Sequence, residues 1–116
     1  EGNGKFTIAE LPATVQFSSV NAIHCADINN DGLADIICGG NQFGFRPQFA
    51  RLDASYGNVL INKGNRMFDV QSSDQSGLLL TGEVRDIVEL KSKTGKYILI
   101  TRNNEHPALY RVADNK

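Results

Sequence analysis

The stretch Asp27-Ile28-Asn29-Asn30-Asp31-Gly32-Leu33-Ala34-Asp35 lies between two short apolar runs, Val20 to Ala26 and Asp35 to Gly39. Its oxygen-bearing side chains fall at loop positions 1, 3, 5 and 9, with glycine at position 6. This spacing turns alternate side chains to one side, and glycine admits the left-handed backbone that a sharp reversal needs. Calcium prefers a flexible cage of about 6 to 8 hard oxygens. Asp27, Asn29, Asp31 and Asp35 offer side-chain oxygens and Leu33 a backbone carbonyl, leaving water to complete the shell. An EF-hand would need a bidentate Glu at position 12 and a helix on each side. Position 12 is Cys38, and both flanks are β-branched. The stretch therefore reads as a hairpin loop within a sheet, holding one Ca2+. A metal-free Asp/Asn/Gly turn is the alternative. Three carboxylates converging on one short loop favour the cation, because they would otherwise repel one another.

Outward from this loop the chain reads as all-β. Short β-branched and aromatic runs alternate with Gly, Asn and Asp clusters, and helical periodicity is scarce. Strands are expected at Phe6 to Ile8, Val20 to Ala26, Asp35 to Gly39, Asn58 to Ile61, Glu83 to Leu90, Tyr97 to Thr101 and Ala108 to Val112. A weak repeat of about 60 residues divides the chain into approximate units 1–62 and 63–116, each near the length of a four-stranded propeller blade with long loops. Gly2 to Phe6 answers Gly64 to Phe68. Cys25-Ala26-Asp27-Ile28 answers Val84-Arg85-Asp86-Ile87, and Ile36-Ile37-Cys38 answers Ile98-Leu99-Ile100. In the second unit Asp86 keeps loop position 1, while Val88, Leu90 and Thr94 stand at positions 3, 5 and 9, so one calcium site is expected. The expected architecture is about two antiparallel, propeller-like blades cut from a larger propeller. Such units bury their faces against neighbours, so the isolated chain is expected to self-associate.

The 116 residues, 41% of them hydrophobic, can bury one core. Twelve Lys and Arg against 13 Asp and Glu leave a net charge of -1. That balance gives no general attraction for nucleic acid or anionic lipid. No apolar run approaches the roughly 20 residues of a membrane span, and Glu1-Gly2-Asn3-Gly4 lacks the features of a signal peptide, so an export signal is expected outside this chain. Cys25 and Cys38 leave two readings open, a cross-strand disulfide or free thiols. Pairing Asp27 with Asp35 places Cys25 opposite Ile37, one position off.

These residues resemble the VCBS or FG-GAP repeats of the integrin-alpha-type β-propeller superfamily, whose blades carry an Asp-x-Asp/Asn-x-Asp-Gly-x-x-Asp calcium loop. The likeness is to the C-terminal propeller region of VCBS-repeat proteins of Bacteroidetes, of the ASPIC/UnbV type. Gly39 to Gln48 with its Arg46-Pro47-Gln48, Arg51 to Gly57 with its Asp53-Ala54-Ser55-Tyr56-Gly57, and Gly82 to Ile87 carry it alongside the loop. The resemblance implies a secreted, periplasmic or cell-surface propeller with structural calcium. It also places a second glycine where Arg66 stands, so the Gly64 to Phe68 turn departs from the pattern.

The long connection Asn41 to Gly57 holds Arg46, Arg51, Asp53 and Tyr56, which suit a sugar or peptide ligand. A structural packing role for the same residues competes with that reading. His24 and Cys25 are neighbours on one strand and so point to opposite faces. His106 reads as exposed loop. No two of Asp53, Asp69, Asp74 and Glu83 are singled out as a glycosidase pair. The functional expectation is a non-catalytic, calcium-stabilised module that scaffolds or binds an extracellular protein or glycan partner. The rival is a piece of a carbohydrate-active propeller enzyme with its catalytic residues on other blades.

Overall fold

The structure, a computed structural model, describes residues 3–16, 20–40, 57–78 and 82–113. It is built of two antiparallel sheets. The first runs β1 (Val20–Ala26), β2 (Asp35–Gly40), β3 (Asn58–Asn62) and β4 (Phe68–Gln71), each strand beside the next in chain order. The second runs β5 (Glu83–Ser92), β6 (Gly95–Asn103) and β7 (Ala108–Arg111) in the same manner. Among the described residues helix is confined to a 3-10 turn at Ala13–Gln16 and a single turn α1 at Ser73–Ser76. Ser72 and Gln75 form a reciprocal capping box at the start of α1, and Gly77 in the left-handed region ends it.

The all-β expectation holds, and six of its strands reappear with ends moved by a few residues at most. Phe6 to Ile8 is not a strand: Phe6 is 96% and Ile8 92% exposed, and among the described residues no strand pairs with them. A strand missing from the expectation, β4, pairs with β3 through Leu60 opposite Val70 and Ile61 opposite Asp69. The sheets therefore divide between Gln71 and Glu83, and the repeat boundary at 62/63 falls inside the first sheet. The β3–β4 turn explains why β4 was hidden. Asn65 and Arg66 both take positive φ, 52° and 64°, and the Met67 N–H donates to the Gly64 carbonyl at 3.0 Å. This is the two-residue geometry that favours Asn-Gly, and arginine occupies the glycine place.

Alternation along the strands puts Ala22, Ile37, Val59 and Ile61 on one face of the first sheet. Ile87, Ile98 and Ile100 form the opposing face of the second, and with Val84 and Leu78 these residues make one core. The sheets approach closely at Gly39, where a Cβ would come within 3.0 Å of the Val84 side chain. The far face of the second sheet leaves Val88, Leu90 and Leu109 exposed.

Two expectations about register are corrected. Asp35 pairs with Ala26, so Cys25 faces Ile36 and Cys38 faces Ile23. Cys25 is thus two positions from Cys38, and both are free thiols, Cys25 exposed and Cys38 buried. Asp86 does not begin a loop. It lies inside β5 opposite Thr101, and β5 continues to Ser92 before a two-residue turn at Lys93 and Thr94. The strand runs on because Ile87, Glu89 and Lys91 alternate toward the first sheet without a turn-forming residue before Lys93.

Candidate functional site

Turn chemistry builds the Asp27–Asp35 loop from within. Asp27 Oδ1 accepts the Asp31 N–H at 3.1 Å and its Oδ2 accepts the Gly32 N–H at 2.9 Å. Asn29 Oδ1 also accepts the Asp31 N–H at 3.2 Å, while Asn29 Nδ2 donates to Asp31 Oδ2 at 2.8 Å. Asp31 Oδ1 accepts the Leu33 N–H at 2.8 Å. Gly32 at φ 87° and Asn30 at φ 61° supply the reversal. Short polar side chains bonding to backbone N–H groups two to five residues on are the means by which Asp and Asn shape turns.

Asp35 does something different. It is fully buried, and its two oxygens accept the N–H groups of Ile28 at 2.8 Å and Asn62 at 2.9 Å. Asn62 answers by donating its side-chain amide to the Ala34 carbonyl at 3.0 Å and by accepting the Gly64 N–H at 2.9 Å. From the second sheet, Lys96 Nζ donates to the Asp27 carbonyl at 2.8 Å. The loop is thus anchored to β3 by Asp35 and Asn62, and to β6 by Lys96. Neither anchor was foreseen in the sequence, because the partners lie 27 and 69 residues away.

The fold brings Asp27, Asn29 and Asp31 together around one turn and places Leu33 beyond them, whereas Asp35 is drawn to backbone N–H groups. Among the described residues no three His, Cys, Asp or Glu side chains gather as a metal-ligating group. A carboxylate oxygen that accepts one N–H keeps a second lone pair. Asp27, Asn29 and Asp31 therefore retain oxygen ligands of the kind calcium takes, and their chemistry fits that ion.

The other sequence candidates separate clearly. Arg46, Arg51, Asp53 and Tyr56 lie outside the described residues. Glu83 is buried and accepts from Asn103 Nδ2 at 2.8 Å and Arg85 at 3.2 Å, which gives it a structural role. Asp69 stands 4.0 Å from Lys63 on the surface, and Asp74 is exposed in the first turn of α1. His106 is exposed.

His24 faces the second sheet, where its Nε2 is buried 3.6 Å from Glu89 Oε2, and the Lys91 ammonium lies 3.3 Å from Glu89 Oε1. Burial opposes ionisation of Glu89. Contacts with Lys91 and His24 and the positive charge of Lys96 outweigh it, holding the carboxyl below its ordinary value. A carboxyl lowered in the folded state adds stability above its unfolded pKa, about 4.3, and that stability is lost as pH falls through the folded value. Glu89→Gln should therefore narrow the gap in melting temperature between about pH 6 and about pH 3 relative to the parent. Equal gaps in both proteins would show that Glu89 contributes nothing to acid sensitivity.

No family model, curated protein or solved structure matches this chain. Among the described residues no helix is long and apolar enough to cross a membrane.

Proposed function

We propose that this chain is a calcium-stabilised, non-catalytic repeat module of the VCBS/FG-GAP propeller type, serving as a scaffold or binding surface for an extracellular protein or glycan partner. One observation carries the proposal: the Asp27–Asp35 stretch is the turn of the β1–β2 hairpin, with Asp27, Asn29 and Asp31 around it and Gly32 at positive φ. A four-stranded meander stacked face to face on a second meander supports the repeat reading. The exposed Val88, Leu90 and Leu109 would receive a further sheet in the same manner.

In this role the ion would be held by Asp27, Asn29 and Asp31, with the Leu33 carbonyl, and would supply positive charge at the turn. Asp35 and Lys96 would hold the loop's frame in place whether or not the ion is bound. Titration calorimetry of chelator-stripped protein should give one calcium per chain, with Kd on the order of 10⁻⁴ M as in extracellular modules. Absence of calcium uptake at millimolar concentration would sink the proposal.

A further inference from the structure

Between the two sheets lies a cavity of about 280 Å³. Its walls include Ile37, Val59 and Ile61 from the first sheet and Ile98 from the second, all members of the core. Protein interiors seldom hold voids larger than a water molecule, and an apolar cavity of about 150 Å³ is enough to admit benzene. This space is nearly twice that size.

The polar groups around it are of one kind. Asn29, Gln71 and Gln75 line it beside Ser76 and Tyr110; the Asn29 amide is also bonded within its loop and the Gln75 oxygen accepts the Ser72 N–H at the cap of α1. A carboxamide donates and accepts, which matches another amide. Among the described residues no carboxylate lines the space, and Arg111, the charged residue that does, also donates to the Thr94 carbonyl at 3.1 Å. An aliphatic interior with neutral, two-way hydrogen-bonding groups around it selects an uncharged ligand.

We infer that this cavity is a binding site for a compact apolar group, a single ring or a branched alkyl, carried on an uncharged amide. A free amide and an apolar side chain of a peptide share this chemistry. The site rests on the sheet packing and not on the calcium reading, so its test is run in excess chelator, where failure of the metal proposal has no influence.

N-acetyl-phenylalaninamide is titrated into methyl-labelled protein and followed by NMR, with toluene and N-acetyl-glycinamide alongside. A ligand of this size at ordinary efficiency should bind with Kd on the order of 1 mM. Saturable shifts are expected at the Ile37, Ile61 and Ile98 methyls. Toluene should shift the same methyls more weakly, and the glycine amide should leave them unmoved. A short peptide with one central phenylalanine, run beside the free amide, distinguishes the two sources by which binds more tightly. Val112→Phe places a ring where a half-buried valine lines the space, and should weaken binding by at least about tenfold. Gln71→Phe, at the end of edge strand β4, serves the same purpose should the first variant not fold. The inference is overturned if the phenylalanine amide gives no saturable methyl shifts, if the glycine amide does as well, or if a folded occluding variant binds like the parent.

Discussion

Asp35→Ala is expected to lower the unfolding free energy by about 3–5 kcal/mol, the largest loss from any single substitution in the first sheet. The residue is fully buried, and each carboxylate oxygen accepts one backbone N–H, from Ile28 and from Asn62. A hydrogen bond to a charged group contributes roughly 1.5–3 kcal/mol, and a buried donor left without an acceptor costs the desolvation of that group. Alanine removes both acceptors at once and leaves two N–H groups facing an apolar pocket. Such a loss takes a large share of a small domain's margin of about 5–15 kcal/mol. Asp35→Asn keeps one acceptor oxygen but turns an NH2 against a backbone N–H, so it should recover only part of the loss. Denaturant unfolding of all three proteins in excess chelator measures this without any metal contribution. A loss below about 1 kcal/mol in the alanine variant would mean that water or a shifted backbone replaces the carboxylate.

The same residue marks how far the sequence could be read. The spacing from Asp27 to Asp35 identified a polar hairpin loop correctly, because turn-forming residues act on N–H groups within five positions. Spacing makes Asp35 a further candidate ligand, and the structure adds that its oxygens accept two backbone N–H groups. Its partner on β3 is Asn62, and nothing local announces a contact across 27 residues. The strand Val20–Ala26, bounded by the polar loop that follows it, was legible to the residue. Phe6 to Ile8 has the same local pattern, yet local pattern supplies no partner strand. β4 failed in the opposite way: Phe68 and Val70 alternate as a strand does, on the Leu60 face of the sheet, but Arg66 in a glycine position conceals the hairpin turn. Asp86 misled because an acidic residue in a strand resembles the start of a polar loop, whereas its carboxylate accepts the N–H of its own neighbour, Ile87, at 2.9 Å. The cavity lining comes from both sheets and from α1, so no window of sequence could display it.

Calcium should raise the melting temperature of the parent by about 10 °C, and Asp31→Asn should abolish most of that rise. An ion that binds only the folded loop stabilises by RT ln(1 + [L]/Kd), about 2.7 kcal/mol when free calcium exceeds Kd a hundredfold. The choice of variant follows from the loop's bonds. Asp31 Oδ1 accepts the Leu33 N–H and its Oδ2 receives the Asn29 amide, so alanine would damage the turn as well as the metal site. Asparagine retains an oxygen for Leu33 while removing the negative charge, which separates the electrostatic contribution from the shape of the turn. Without metal, Asp31→Asn should melt within a few degrees of the parent, since the exposed carboxylate adds little beyond those two contacts. With saturating calcium the two curves should part, the parent moving up and the variant staying near its chelator value. Identical curves for the parent in calcium and in chelator would reduce the loop to a self-bonded turn. A full calcium response in Asp31→Asn would place the ion elsewhere, away from Asp27 and Asn29.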